Sequence, residues 1–340
     1  MSLFQIISTA FDSVAPIVLL ILFGFILKRK GVLTREFAAI GNAFVFRFCI
    51  PAMLLLNIYD IDNLKDVNWQ IPIYSLLAAC LIFAFGFLAS VATTKVPERR
   101  GVLLQCSFRS NFAIIGLPLA NMLGGSASVG VAAVISAVSI PFFNILAVIS
   151  LSIFMSAQGD TGKRIKSILI NIVKNPLIQG VALGLACLAI RELQLHYFQN
   201  IVFSLREDLH LLHTFLSQLK AITTPLSLII LGAQFEFSAV RGLLKEIVVG
   251  TLSRTVAAPL IGIGLAVLLA SRGILQCGST EIPALVALFG SPVAVSSAIM
   301  ASSMKNDGQL AAQLVVWTSI ASVFTLFAEI CILLYFGLIV

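Results

Sequence analysis

Two segments combine polar side chains with residues that interrupt helices. Arg109 and Asn111 come just before Gly116-Leu117-Pro118, and Gly290-Ser291-Pro292 follows much later in the chain. Proline in mid-helix leaves backbone hydrogen-bonding groups unpaired, and because lipid cannot satisfy them, such helices break beside protein or water. A helix N-terminus at a break carries about half a positive charge and, next to a fixed cation, favours an anion. These segments therefore predict an anion-binding site.

Other polar residues inside apolar runs each have two interpretations. Asn175, just before a proline, either binds the ligand through its amide or begins a helix. Arg254 either adjusts the electric field at the site or stabilises the fold, and Arg109 either binds the anion or pairs with Glu329 or Asp12. A charge near the bilayer centre costs on the order of 3 kcal/mol, so each of these charges needs a compensating role.

Hydroxyl and imidazole side chains give weaker signals. Ser291, Ser296 and Ser297 either donate to the ligand or are small residues that let helices cross closely. His210 and His213, near an aspartate, form either a metal site or, as their surroundings favour, a solvated polar face. The chain has no H-E-x-x-H, no phosphate-binding glycine loop and no G-x-S-x-G, so we expect no enzyme, no resident metal and no cofactor.

The composition indicates a membrane protein. Of the 340 residues, 59% are hydrophobic and 11% are charged, and the mean hydropathy is +1.05. Soluble proteins carry roughly 25% charged residues, so a soluble domain, a disordered chain and a nucleic-acid-binding protein are excluded. Ten apolar runs are long enough to cross a bilayer: 12–28, 35–58, 70–94, 99–121, 127–156, 167–190, 216–235, 239–271, 281–303 and 308–338.

The distribution of basic residues predicts how these spans are oriented. Thirteen Lys and Arg residues fall in loops on one side and five on the other, and the richer side is expected in the cytoplasm. The net charge of +7 therefore reflects topology in a plasma (inner) membrane, with both termini outside. Also on the outer side, residues 191–215 have apolar side chains three and four positions apart, which predicts an amphipathic helix at the membrane surface.

The spacing of prolines and glycines indicates an internal repeat. Three pairs of residues are each 174 positions apart: Pro51 with Pro225, Pro118 with Pro292, and Gly116 with Gly290. Proline also kinks spanning helices without any other role, but these pairs fall in corresponding spans of a five-plus-five division. We therefore predict an all-α membrane protein of ten helices, built as an inverted repeat (1–158 and 159–340) with broken helices four and nine, an architecture typical of secondary transporters.

Six segments match, in chain order, the motifs of a known transporter family. Asn111–Leu119 has the pattern N-x-x-x-x-G-x-P-L of that family's fourth helix, and the other matches are Pro51–Leu55, Asn175-Pro176, Pro225–Gly232, and Arg254 five residues before Pro259, followed by Pro292. The chain thus resembles the auxin efflux carrier family, which includes plant auxin exporters and bacterial carriers associated with malate and malonate. The resemblance implies a fold similar to bile-acid sodium symporters and sodium/proton antiporters, with helices four and nine crossing at Pro118 and Pro292. It also implies that Asn111 contacts the carboxylate of the substrate.

Two departures separate the chain from the plant members of the family. Leu177 stands where they have a further asparagine after the Asn-Pro of helix six. The third span, around Tyr74 and Ala78, lacks their Asp and Lys pair, and their long cytoplasmic loop is replaced by about residues 157–167. The resemblance is therefore to bacterial-type members and does not imply recognition of auxin.

These observations predict a secondary transporter that moves a small organic carboxylate anion by alternating access, with one half rocking against the other around the crossing helices. Its expected partners are the anion and the lipid bilayer, with a homodimer possible and nucleic acid excluded. One alternative is a symporter or antiporter coupled to Na⁺ or H⁺, for which Glu329 and Asp12 are the available intramembrane carboxylates. The other is a membrane sensor that binds a metabolite or lipid without transporting it.

Overall fold

The computed structural model describes residues 16, 19–60, 69–155, 170, 173–235 and 239–339, and these are almost entirely helical. Up to residue 155 the helices are α1 (19–29), α2 (Arg35–Phe44), α3 (Ile50–Tyr59), α4 (Gln70–Thr93), α5 (Pro97–Phe108) and α6 (Leu117–Ile153). After residue 173 they are α7 (Pro176–Phe198), α8 (His210–Gln234), α9 (Ala239–Leu252), α10 (Leu265–Ser271), α11 (Glu281–Gly290), α12 (Ser296–Ser303) and α13 (Gly308–Tyr335).

Seven helical segments of the described chain are long and apolar enough to cross a membrane: Arg35–Tyr59, Gln70–Thr93, Ala127–Ile153, Pro176–Phe198, His210–Ala233, Val240–Ser271 and Gly308–Tyr335. They coincide with predicted spans two, three, five, six, seven, eight and ten, which confirms an all-helical, multi-pass membrane protein. Predicted span one (12–28) is only partly described, and spans four and nine are each split into two shorter helices. The count of ten spans and the inverted repeat, whose boundary at 158 lies outside the described residues, stay predictions.

Wide π-helical turns precede three of the prolines inside spans. Val45–Cys49 comes before Pro51, Phe112–Gly116 before Pro118, and Ser253–Ala257 before Pro259. A π turn adds one residue to the helical turn, which makes room for a proline ring that otherwise clashes with the carbonyl four residues earlier. The Gly-x-Pro pattern predicts the first break at Gly116–Pro118, but because of the π turn the helix continues there and the break lies at 109–111.

The segment 191–215, predicted to lie on the outer side, differs from the sequence prediction in its structure. Instead of one amphipathic helix, it contains the end of α7, a non-helical stretch from 199 to 209, and the start of α8. Helix α7 ends because Gln199 adopts a left-handed conformation, with φ of 57°. The Gln194 side chain then accepts hydrogen bonds from the backbone N–H groups of Val202 (2.8 Å) and Phe203 (2.6 Å). The polar side chain thus replaces helical hydrogen bonds, and apolar periodicity alone does not register that competition.

The helices pack in two groups. In the first group α3 packs closely on α7 and α8, and α2 packs on α8. In the second group α4, α5 and α6 pack together with α9 to α13, including an extensive contact between α6 and α11. Fewer contacts join the groups, chiefly those of α12 with α2, α8 and the π turn at Val45–Cys49, and those of α6 with α7. Each group therefore contains helices from both halves of the sequence.

Ion pairs strengthen each group from within. In the first group Asp60, at the end of α3, pairs with Arg206 (3.1 Å) and with Lys220 of α8 (3.4 Å). In the second group Arg99 of α5 pairs with Glu246 of α9 (3.0 Å) and with Asp307, which caps α13 (3.2 Å). These pairs are partly exposed, so each contributes at most about 1 kcal/mol. They nevertheless hold together helices that are distant in sequence.

Candidate functional site

The two breaks lie side by side. Helix α5 ends at Phe108 and helix α11 at Gly290, and in each case the chain then becomes extended before helix resumes at Phe112 or Ser296. The extended segments run antiparallel: Asn111 N–H donates to the carbonyl of Pro292 (2.8 Å), and Ala294 N–H donates to the carbonyl of Arg109 (3.1 Å). Each break thus supplies hydrogen-bond partners for backbone groups of the other. Non-helical backbone within a bilayer needs such partners because lipid offers none.

Arg254 holds the C-terminal ends of the two helices that lead into the breaks. Its fully buried guanidinium donates to the carbonyls of Phe108 (3.1 Å), Leu288 (2.9 Å), Phe289 (3.0 Å) and Ser291 (2.8 Å). A helix C-terminus carries partial negative charge and unpaired carbonyls, so a single cation compensates both. Of the two interpretations of Arg254, this geometry favours the structural one.

A cavity of about 80 Å³ lies on the opposite, N-terminal side of the breaks. The two breaks supply Arg109, Ser110, Asn111, Phe112, Ala294, Val295 and Ser296. The rest of the lining comes from α3, α6 and α8: Ile50, Met53, Leu54, Asn57, Ile140, Phe143, Asn144, Thr223, Thr224 and Ser227. Because α3 and α8 belong to the first packing group and the breaks and α6 to the second, the cavity lies at the boundary between the groups.

Arg109 gives the cavity its charge. Its side chain is 4% exposed, and its guanidinium donates to Asn144 Oδ1 (2.8 Å) and Met300 Sδ (2.9 Å). Among the described residues no carboxylate is within ion-pair distance of it; Glu329 does not pair with it, and Asp12 lies outside the described part of the chain. A buried guanidinium with neutral partners is costly, so an anion entering the cavity gains a strong charge-assisted partner.

Asn111 and the helix N-termini complete the polar side of the cavity. Both backbone groups of Asn111 are hydrogen-bonded: its N–H donates to the carbonyl of Pro292, and its carbonyl accepts from Ile115 N–H (3.0 Å). Its side-chain amide, in contrast, makes no hydrogen bond to any described residue and lines the cavity. The second helix of each break begins here, at Phe112 and Ser296, so partial positive charge from both N-termini adds to that of Arg109.

Of the residues that the sequence offers as substrate ligands, Arg109, Asn111 and Ser296 line this cavity. Ser291 and Pro292 are in the second break. The carbonyl of Ser291 accepts a hydrogen bond from Arg254, and that of Pro292 accepts one from the Asn111 N–H. Gly290 ends α11, and Pro118 is in the first turn of α6. Asn175 caps α7, accepting from Leu177 N–H (2.9 Å), so the structure places it at the start of a helix, away from the breaks.

Several lining residues were missed by reasoning from sequence. Asn57 and Asn144 are amides within apolar spans, and Thr223, Thr224 and Ser227 form a polar cluster beside Pro225. A polar residue inside an apolar run is a signal that could have been used for the two asparagines. The hydroxyls give no such signal, because Thr and Ser commonly bond the carbonyl four residues earlier, as Thr223 and Ser227 do.

Gly116 is explained by close packing. A Cβ built on it would lie 2.8 Å from the carbonyl oxygen of Ala287 in α11 and would also overlap the Phe112 ring. We therefore expect Gly116→Ala to lower the free energy of unfolding by about 1–3 kcal/mol, the usual effect of overpacking. Gly130→Ala, in α6 beyond the kink at Gly125 and with no atom near its Cβ, is the matched control and should be neutral or stabilising. Equal melting temperatures of the two variants in detergent would contradict this packing.

Comparisons with known proteins agree with this arrangement. The sequence profile of a family described as membrane transport protein matches residues 9–328. The chain is also 23% identical to a protein of Methanothermobacter thermautotrophicus described as an uncharacterized transporter, over 93% of this chain and 95% of that protein. These matches cover nearly the whole chain and confirm the resemblance seen in its motifs. The chain belongs to the membrane transport protein family of the auxin efflux carriers.

Proposed function

We propose that the protein is a secondary carrier for a small organic anion, most simply a carboxylate. One observation carries the proposal: the buried guanidinium of Arg109 faces a cavity at the two breaks and has no carboxylate partner among the described residues. A carboxylate there receives charge-assisted hydrogen bonds from Arg109, with the Asn111 amide as a further donor. The small cavity, below the 300–1,000 Å³ typical of sites for larger ligands, favours an anion of a few non-hydrogen atoms.

The position of the cavity supports alternating access as the mechanism. Its walls come from two helix groups between which contacts are fewer than within each group. We infer that the second group, which holds both breaks, moves against the first as a rigid body and exposes the anion first to one side and then to the other. The moving bodies are thus packing groups, each drawn from both halves of the chain. The two breaks are, in this proposal, the crossing point of helices four and nine of an inverted repeat.

The function is tested with the purified protein in liposomes. Acetate, L-malate and benzoate are added outside, and uptake and electrical current are recorded, with acetamide as an uncharged control of similar size to acetate. The proposal predicts saturable uptake of at least one acid and none of acetamide. Saturable binding without uptake would favour the sensor, and absence of binding of every acid would contradict the anion site itself.

Asn111 provides a second test. Asn111→Ala removes the amide that faces the cavity but keeps the backbone bonds to Pro292, so the protein should stay folded. A lost hydrogen bond to a charged group is worth about 1.5–3 kcal/mol, so the dissociation constant for the transported acid should rise roughly 10- to 150-fold. Asn200→Ala, an exposed position in the outer segment, is the control. An unchanged affinity in the Asn111 variant would remove it from the site.

A further inference from the structure

Glu329 is a partly buried carboxylate that the anion site does not use. It belongs to α13 and borders a second cavity, of about 370 Å³, whose other lining residues are mostly apolar, such as Pro259, Leu260, Ile263 and Leu333. Its Oε2 atom is buried and makes no hydrogen bond to a described residue. An ionised carboxylate with an unsatisfied oxygen is costly in such surroundings, whereas the neutral acid is much less so.

Glu329 lies directly behind the second break. A Cβ built on Gly290, the last residue of α11, would be 2.6 Å from Glu329 Oε2, so the carboxylate packs against the helix end. The segments that surround it, from Thr255 to Val267 and from Phe336 to Leu338, contribute no ionisable side chain to this cavity. The charged group that acts on Glu329 is Arg254, which holds the carbonyls of both breaks.

This arrangement couples the charge of Glu329 to the anion site. When Glu329 is ionised, its charge offsets that of Arg254; when it is protonated, one positive charge remains beside the breaks. The anion cavity lies on the other side of the same two breaks, so protonation makes the potential in the cavity more positive and strengthens anion binding. By linkage, a bound anion must strengthen proton binding by the same factor.

We propose that Glu329 is the proton-binding site of the carrier and takes up one proton when an anion binds, so that the two move together as a symport. The proposal rests on the anion-carrier function and assigns its coupling ion. The step is a simple protonation: a hydronium ion of the medium gives one proton to the carboxylate, which becomes the neutral acid, and water is left.

The first test is the dissociation constant of L-malate, or of benzoate if only a monocarboxylate binds, between about pH 6.5 and about pH 8.5, where these acids are ionised. The wild-type affinity should fall with rising pH by about tenfold, within the ~5–150-fold that coupled sites typically show. Glu329→Gln, a neutral isostere of the acid, should bind tightly and equally across the range. The three histidines are present in both proteins, so any contribution from them cancels in the comparison.

A second measurement needs no variant. Binding of the same acid to the wild-type protein in weakly buffered solution should remove about half a proton per site from the medium at about pH 7.5, because a tenfold change in affinity over two pH units corresponds to that uptake. No proton uptake, or an equal pH dependence in the wild type and Glu329→Gln, would overturn the proposal while leaving the anion carrier intact. Failure of both proteins to bind any acid at any pH would instead overturn the carrier function, and the proton site with it.

Discussion

Replacement of Arg254 by methionine is expected to leave little stably folded protein. Arg254 is fully buried and donates to four backbone carbonyls at the ends of α5 and α11. Methionine fills similar space but leaves these acceptors unpaired in an interior that water does not reach. Removal of one partner from a buried charged network costs about 3–5 kcal/mol, a large part of the ~5–15 kcal/mol that stabilises a typical protein. Thermal unfolding in detergent measures the loss.

Two further variants separate this role from a general effect of charge. Arg254→Lys keeps the charge but offers a point donor where the planar guanidinium reaches two helix ends, so it should rescue stability only in part. Arg272→Met removes an exposed arginine from the loop after α10 and should leave the melting temperature unchanged. A wild-type melting temperature in Arg254→Met would show that the breaks are stable without the arginine.

Replacement of Arg109 by glutamine is expected to abolish anion binding in a protein that stays folded. Glutamine can still hydrogen-bond Asn144 or Met300, which are the described partners of Arg109, but it brings no positive charge. Because the guanidinium is the one cation among the described residues that line the cavity, the dissociation constant for the transported acid should rise by at least about 100-fold, which corresponds to about 2.7 kcal/mol. Equilibrium binding in detergent is the measurement, with melting temperature as the check on folding.

Arg47→Gln is the matched control for Arg109. Arg47 is also an arginine inside a predicted span, but it is exposed and does not line the cavity. Its variant should bind the acid as the wild type does. Equal loss of binding in both variants would mean that the net charge of the protein, and not the cation at the breaks, determines affinity. Retained binding in Arg109→Gln would exclude the site proposed here.

The sequence predicted the membrane class and most span positions because hydrophobic length is a strong, local signal. It also placed the second break correctly, since Gly290-Ser291-Pro292 ends α11 where the pattern indicates. The first break was misplaced by several residues, because the π turn at Phe112–Gly116 accommodates Pro118 and moves the interruption to 109–111. Such turns depend on which carbonyls neighbouring helices can satisfy, and local sequence does not contain that information.

The site itself was only half predictable. Arg109 and Asn111, which line the cavity, were predicted because a charge or an amide inside an apolar run requires a compensating partner or role. Arg254 is likewise a charge inside an apolar run. Its role, however, depends on its contact with the ends of two helices that are distant in sequence, and only the three-dimensional packing shows that contact. Asn57 and Asn144 join the cavity from α3 and α6 for the same reason.

Two buried arginines lie at the breaks, one on each side. A cation at the C-terminal side of the breaks stabilises the fold, and a second cation at the N-terminal side has no described counter-ion. Arg254 and Arg109 are therefore similar in burial but opposite in expected behaviour, since loss of one unfolds the protein and loss of the other only empties the site.

The most direct test is a structure of the protein with its transported acid, determined in a lipid environment. The account predicts density for the carboxylate within about 3 Å of the Arg109 guanidinium, the range of a charge-assisted hydrogen bond, and next to the Asn111 amide. The proposed anion site would be contradicted by density for the acid elsewhere, for example beside Lys174 and Lys305. In that result Arg109 would still bond only Asn144 and Met300.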